Sequence, residues 1–312
     1  MRKILCVLFS AVLAVSALSG CAVQKNPDAD DGKLHVVTTI FAPYDFARQV
    51  GGDDVSVTML LRPGCEVHAY EPTPKDIIAI RNADVFIYVG GESDAWVQTV
   101  LEGVDNPDLR VVTLMDCVEL LHEETVEGMQ AERHGHDHDD EDEDEDEEEL
   151  DEHVWTSPRN AARICQKLCD TFSAADSAHA AQYAQRCGDY VEQLDRLDAE
   201  FQDVVENAAR KTVVFADRFP LRYFADAYGL DYYAAYPGCA DAAEPSAATV
   251  AFLIDKVRAE GIPVVFTICE ATGAKKLEFA TCHNVTAQAF ADGATYLQLM
   301  ERNVQALREA LN

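Results

Sequence analysis

The sequence predicts an α/β protein of two lobes, each with a parallel sheet flanked by helices, joined by one long rigid helix. Two separate series of alternating strand and helix patterns predict the sheets, because strands joined through helices lie parallel and are covered on both faces. Between the two series, an apolar stripe with helical spacing continues for about thirty residues, which corresponds to roughly 45 Å of helix. A helix of that length can connect two lobes.

The first series alternates β-branched runs with helical stretches. Its strands are predicted at Leu34 to Ile40, Ser56 to Leu61, Asp84 to Val89 and Arg110 to Leu114. Its helices are predicted near Pro43 to Val50, Pro74 to Asn82 and Ser93 to Glu102. Thr73 can cap the second of these helices, because proline suits the first helical position that follows it.

The linking helix is predicted from apolar side chains that recur every three or four residues. They are Tyr183, Cys187, Tyr190, Val191, Leu194, Leu197, Phe201, Val204 and Val205. We therefore place the first lobe at residues 34–177, the linking helix at 178–209 and the second lobe at 210–312.

The second series has the same alternation. Its strands are predicted at Thr212 to Phe215, Asp231 to Ala235, Pro263 to Ile268 and Lys276 to Phe279. Its helices are predicted near Arg222 to Tyr228, from Ala247 to Glu260, and after Tyr296.

The N-terminus predicts export and lipid attachment. Arg2 and Lys3 precede the apolar stretch Ile4 to Leu18, which is too short to span a bilayer as a mature helix and is typical of a signal peptide. The following Leu18 to Cys21 resembles a bacterial lipobox, in which cleavage leaves an acylated cysteine. We expect residues 1–20 to be the signal, Cys21 to anchor the protein to the outer face of the cytoplasmic membrane, and residues 21–33 to be a tether. The alternative is an ordinary signal with a chance cysteine.

Charge excludes several classes of partner. The net charge is −31, and Asp137 to Glu152 contributes 14 acidic side chains with no basic one, so the rest of the chain carries −17. Such a balance argues against nucleic-acid binding and against attraction to an anionic bilayer.

Eight cysteines remain when Cys6 and Cys21 are set aside. An even number in an exported chain permits disulfides, but the pairing cannot be deduced from spacing. Cys165 and Cys169 lie one turn apart on a predicted helix and are expected to be packed thiols.

The histidines and carboxylates of residues 129–152 predict divalent-metal capture on a solvated loop. His134, His136 and His138 lead into the acidic run, and His153 follows it. Imidazole suits zinc, and no packed core could bury so many like charges. The alternative is a solubilising linker with incidental histidines.

His68 belongs to the segment Pro63 to Pro74, PGCEVHAYEPTP, between a strand and the next helix. That edge of an open α/β sheet is where ligands bind. The segment resembles the His-x-Tyr-Glu-Pro-Thr-Pro signature of the zinc and manganese solute-binding lipoproteins of ABC importers, a family with two lobes and one long rigid helix. The resemblance extends over nearly the whole mature chain, through Asp151 to Pro158, Tyr228 to Leu230 and Tyr296-Leu297, and the family's zinc members also carry a His/acidic loop.

The resemblance implies that His68 and His153 are the two ligands of the first lobe. The family's third ligand follows the first strand of the second lobe, where this chain has Asp217 and Arg218. Arg218 cannot bind a cation. Asp217 can substitute, although an ion pair with Arg218 or Arg222 is an equal alternative.

The family's fourth ligand, an aspartate, follows the last strand at the position of His283, which we take as the third ligand here rather than a structural histidine. The chain also departs from the family between Ile268 and Lys276, where seven residues replace a crossover of about a dozen. Either a family helix is missing or this part is a hairpin. Glu270 then becomes a spare ligand candidate or an exposed carboxylate.

These residues predict capture of Zn(II) in the cleft between the lobes and delivery to an ABC permease, by a monomer and with no chemical step. His134, His136 and His138 would collect zinc weakly. Alternatives are a Mn(II)-binding protein of the same class and a metal-buffering or adhesive surface lipoprotein. A secreted zinc hydrolase with Glu71 as general base is disfavoured, because the chain lacks His-Glu-x-x-His and prolines break the helix it would need.

Overall fold

The fold is described by a computed structural model for residues 32–65, 70–130, 149–238, 245–268 and 276–312. Cys21 and the predicted signal lie outside these residues. Of the helices in the described ranges, none has the length and apolar character needed to cross a membrane.

The first lobe is built on a four-stranded parallel sheet. Its strands are β1 (Leu34–Thr38), β2 (Val55–Met59), β3 (Val85–Tyr88) and β4 (Arg110–Thr113), in the order β2-β1-β3-β4. The helices are α1 (Phe41–Gly51), α2 (Pro74–Asn82) and α3 (Trp96–Glu102). Every pairing is parallel, so the predicted βαβ series is confirmed.

Two long helices follow the first sheet. They are α4 (Pro158–Ala175) and α5 (Ala180–Glu206), and α5 has 27 residues, or about 40 Å. The predicted stripe of α5 is buried at every position except Val191, which is half-buried. The hydrophobic core runs from the first sheet along these helices into the second lobe, within one compact unit Leu34–Asn312.

The second lobe has shorter strands. They are β5 (Thr212–Val214), β6 (Arg218–Phe219), β7 (Asp231–Tyr233), β8 (Tyr236–Pro237), β9 (Val265–Thr267) and β10 (Lys276–Glu278). Its helices are α6 (Arg222–Tyr228), α7 (Ala247–Glu260), α8 (Ala287–Ala291) and α9 (Tyr296–Leu311). β5 pairs with β7, β6 with β8 and β9 with β10, all parallel, and a parallel bridge from Phe215 to Phe266 brings β5 beside β9. The predicted α/β architecture is confirmed, whereas the exact lobe boundaries stay predictions.

The hairpin alternative for the segment after Ile268 is wrong. Lys276 pairs with Val265 and Glu278 with Thr267 in parallel register, and the N–H of Phe279 extends this ladder to the carbonyl of Thr267. The rings of Phe266 and Phe279 meet edge to face at 5.2 Å in the core. Strands β9 and β10 are therefore parallel although only a short connection joins them, and this arrangement buries Phe279 beside Phe266. Glu270 lies outside the described residues.

Candidate metal centre

His153 precedes a short 3-10 turn, Val154–Thr156, that leads into α4, and its position is set by Asp151. The imidazole is completely buried. One carboxylate oxygen of Asp151 accepts the backbone N–H of His153 at 2.8 Å and lies 3.0 Å from its Nδ1. A carboxylate behind a ligating histidine fixes its ring and tautomer, which presents Nε2 to a metal. The predicted first-lobe ligand is therefore held in a ligand's geometry.

His283 meets His153 although the two residues come from opposite halves of the chain. The ring centroids are 4.4 Å apart and the planes are inclined by 79°. His283 also packs edge to face on Trp155 at 4.8 Å, and its Nδ1 lies 3.1 Å from the hydroxyl of Thr281. The structure thus brings together two of the predicted imidazole ligands.

The segment that carries His283, residues 281–285, is hydrogen-bonded to the first lobe along its length. The indole N–H of Trp155 donates to the carbonyl of Thr281 at 2.8 Å. The N–H of Phe41 donates to the carbonyl of His283 at 3.1 Å, and the N–H of Gly64 to that of Val285 at 2.8 Å. His283 is thereby fixed relative to His153.

Asn284 connects this segment to the chain that leads to His68. Its side-chain amide donates to the carbonyl of Cys65 at 2.6 Å and to that of Arg62 at 3.2 Å. His68 itself lies outside the described residues, which stop at Cys65 and resume at Tyr70. The base of the predicted ligand loop is therefore adjacent to His283.

Tyr296 supports Trp155 from behind. Its hydroxyl donates to the carbonyl of Trp155 at 2.9 Å, and its N–H donates to the carboxylate of Asp45 at 2.9 Å. Burial raises the pKa of Asp45, although the Tyr296 N–H acts in the opposite direction. Tyr296 thereby holds the main chain of Trp155, whose ring packs on His283.

Asp217 precedes the short strand β6 in the second lobe. Its carboxylate accepts the N–H of Ile268 at 3.1 Å. Arg222 pairs with Glu124 at 3.3 Å and with Asp226 at 3.9 Å. The assignment of Asp217 as a metal ligand stays a prediction.

Several residues that support the site were missed by sequence reasoning. Gly238 comes directly after β8 and packs against the site. A Cβ at this position would lie 3.0 Å from Cε1 of His153. The Tyr223 hydroxyl donates to the carbonyl of Asp151 at 2.8 Å. For Gly238, the available signal was a glycine directly after a buried strand. Neither Tyr223 nor Asn284 belongs to a sequence pattern that reveals its role.

Glu152 is hydrogen-bonded to the first lobe. Its carboxylate accepts the N–H of Ser93 at 3.0 Å. The neighbouring carboxylate of Asp94 accepts the N–H groups of Val89 and Gly90 at 2.7 and 3.1 Å. Burial raises the pKa of Asp94 to about 6, and the charge of Glu152 adds to this effect.

The predicted His/acidic loop has an ordered neck. His122 and Leu150 form an antiparallel bridge, the N–H of Glu123 donates to the carbonyl of Glu149, and the N–H of Asp151 donates to that of Leu121. The neck therefore positions Asp151 and, through it, His153. His134, His136 and His138 lie outside the described residues.

Within the ranges that the structure describes, no group of three or more His, Cys, Asp or Glu side chains could hold a metal ion. The described part of the site is the pair His153 and His283. A tetrahedral zinc site at this pair would need at least one more protein ligand. Cys65, the last described residue before His68, accepts a hydrogen bond from Asn284, the neighbour of His283.

The chain is similar to known proteins of zinc uptake. A family model described as the periplasmic component A of the zinc-uptake complex matches residues 36–310. The zinc-binding lipoprotein AdcA of Streptococcus pneumoniae is 30% identical over 321 residues, covering 99% of this chain and 61% of that protein. The high-affinity zinc uptake protein ZnuA of Bacillus subtilis is 28% identical, covering 98% of this chain and 96% of that protein.

The fold is also shared with solved structures. The Zn(II)-bound ZnuA-like domain of S. pneumoniae AdcA superposes with a TM-score of 0.73 at 27% identity, covering 90% of this chain and 99% of that domain. The metal-dependent lipoprotein YcdH of B. subtilis gives a TM-score of 0.73 at 26% identity, covering 89% and 99%. The chain spans about three fifths of the length of the pneumococcal AdcA that it matches. The match over residues 36–310 shows that the chain belongs to the family of zinc-uptake complex component A proteins.

Proposed function

We propose that this protein binds Zn(II) in the cleft between its lobes and delivers it to an ABC permease, with no chemical step. The observation that carries the proposal is the contact of His153 with His283, at 4.4 Å between ring centroids, with Asp151 behind His153. His68 and His153 are the proposed ligands from the first lobe, and His283 is the proposed third ligand. A water or the carboxylate of Asp217 would complete a tetrahedral site.

The ligand chemistry favours zinc over manganese. Three imidazoles suit zinc, whereas manganese prefers more oxygen donors. Cu(II) would bind more tightly than zinc at such a site, so selectivity also depends on metal supply and on geometry. AdcA and ZnuA, which this chain resembles, are named for zinc.

The His/acidic loop is proposed to collect zinc weakly through His134, His136 and His138. Ordering a loop around each bound ion costs conformational entropy, which lowers the affinity of such a loop for zinc. The neck of this loop ends at Asp151, two residues before the buried His153. Cys21 is proposed to carry the lipid that holds the protein at the outer face of the cytoplasmic membrane.

Zinc titration in the presence of a competing chelator tests these roles. We expect one tight site per chain in the wild-type protein and additional weak sites. Removal of residues 132–147, with the neck residues 149–151 retained, should abolish the weak sites and leave the tight one. Loss of the tight site in this variant would contradict the division of roles. Preferential binding of manganese under competition would contradict the zinc assignment.

A further inference from the structure

Helices α4 and α5 form an antiparallel pair in which two cysteines face each other. Phe172 of α4 and Tyr183 of α5 meet edge to face across the pair at 5.7 Å, which fixes the register. Cys169 lies three residues before Phe172, and Cys187 lies four residues after Tyr183. Because residues three and four apart share a helix face, both cysteines lie one turn farther from the connection, on the facing surfaces.

The contacts of Cys187 agree with this register. Its thiol donates to the carbonyl of Cys165 at 3.5 Å, so the sulfur lies over the turn of α4 between Cys165 and Cys169. The Cys169 side chain is close enough to Cys187 to contribute to the raised pKa of the Cys187 thiol. Cys187 is buried and Cys169 is partly exposed, so an oxidant can reach the pair from the Cys169 side.

We propose that Cys169 and Cys187 form an intramolecular disulfide in the exported protein. The oxidant is a thiol oxidoreductase that carries a reactive disulfide in the compartment outside the cytoplasmic membrane. The inference rests on the export included in the proposed function, because the cytosol keeps thiols reduced.

The reaction is two successive thiol–disulfide exchanges. The Cys169 thiolate attacks one sulfur of the oxidant's disulfide, which breaks that bond and releases the other oxidant sulfur as a thiolate. The Cys187 thiolate then attacks the Cys169 sulfur of the mixed disulfide, forms the Cys169–Cys187 bond and expels the remaining oxidant sulfur. The oxidant ends as a dithiol that has accepted two electrons and the two protons of the cysteine thiols.

The order of the two steps follows from burial. Burial raises the pKa of Cys187 to about 12, and the neighbouring Cys169 thiol adds to this effect. The partly exposed Cys169 therefore attacks first. The resulting bond would tie the linking helix α5 to α4, whose N-terminus follows His153.

Peptide mapping of the full chain, alkylated under denaturing conditions without reductant, tests the proposal. In protein isolated from the membrane fraction, we expect a peptide pair linked through Cys169 and Cys187, lighter by two hydrogen atoms and separated by reductant. Cys169→Ser should make Cys187 open to alkylation. Cys165→Ser is the matched control, because Cys165 lies one turn away, and it should keep the link.

Complete alkylation of both thiols in protein that has been processed at Cys21 would overturn the proposal. A link from either cysteine to Cys239 or Cys269 would also overturn it. Protein that still carries Met1 would contradict export instead. In that case, cytosolic protein treated with oxidised glutathione tests the geometry alone: a Cys169–Cys187 link supports the pairing, and its absence overturns it.

Discussion

The imidazole rings of His153 and His283 lie 4.4 Å apart and nearly perpendicular, and the chain between them includes the whole linking helix. His153 is fixed by Asp151, and His283 by the hydrogen bonds of its segment to Trp155, Phe41 and Gly64. The third ligand of the proposed site is therefore attached to the first lobe, even though it follows a second-lobe strand. Separation of the lobes would have to break these bonds before it could separate the two imidazoles.

His153→Ala and His283→Ala should each weaken zinc binding by more than about 100-fold, because loss of a ligand exceeds the 10- to 100-fold effect of losing a supporting residue. Calorimetry with a competing chelator measures the change. His35→Ala is the control, because His35 lies near the start of β1, at the other end of that strand from Phe41, whose N–H donates to the carbonyl of His283. Wild-type affinity in His283→Ala would exclude His283 as a ligand.

Asp151→Ala should weaken zinc binding by about 10- to 100-fold without removing a ligand. The carboxylate holds Nδ1 of His153 at 3.0 Å, so its loss frees the ring and its tautomer. Asp151→Asn keeps an acceptor oxygen and should have a smaller effect in the same titration. Equal losses in the two variants would show that the charge of Asp151 matters rather than its hydrogen bond.

Local signals explain which parts of the fold the sequence predicts well. The bounds of α2, α6 and α7 agree with the predicted ones because each helix has a capping residue within one turn of its start or end. Thr73 and Asp76 form a capping box at the start of α2, and Gly229 and Gly261 adopt the left-handed conformation after α6 and α7.

Nonlocal contacts explain what the sequence did not predict. The two-residue strands β6 and β8 are too short to have a periodicity. The attachment of residues 281–285 to the first lobe depends on main-chain groups of Phe41 and Gly64, which carry no side-chain signal. His283 could be chosen by analogy with a family ligand, whereas its contact with His153 could only be seen in the fold.

Asn284→Ala should reduce zinc affinity by about 10- to 100-fold, as expected for a residue that positions ligands. The amide of Asn284 joins the His283 segment to the carbonyls of Cys65 and Arg62, at the base of the loop that carries His68. Asn106→Ala is a matched control, because Asn106 also donates to two carbonyls, those of Arg81 and Ala83, on a different side of the first lobe. Equal zinc affinity in the two variants would argue against a positioning role.

Gly238→Ala should disturb His153 and lower both zinc affinity and stability. The added methyl would lie 3.0 Å from Cε1 of His153 and 3.1 Å from the carbonyl oxygen of Phe219, and a backbone contact cannot give way easily. Overpacking of this kind costs about 1–3 kcal/mol. Gly188→Ala in α5 meets nothing within 4 Å and should stabilise the protein by about 0.5–1 kcal/mol. Urea unfolding of the zinc-free proteins gives the free energies, and unchanged values for Gly238→Ala would contradict the close approach.

Asp94→Asn should change how the stability of the zinc-free protein depends on pH. Burial, with the charge of Glu152, raises the pKa of Asp94 to about 6 from an ordinary value near 4. Between these values the folded protein binds more protons at this carboxyl than the unfolded chain does, so the contribution of Asp94 to stability falls as pH rises from about 4 to 6.

Asparagine cannot ionise, and its oxygen can still accept the N–H groups of Val89 and Gly90. The free energy of unfolding of the variant, relative to wild type, should therefore rise by up to about 3 kcal/mol between pH 4 and pH 7. Urea titrations at several pH values measure this difference, and parallel curves for the two proteins would contradict the raised pKa.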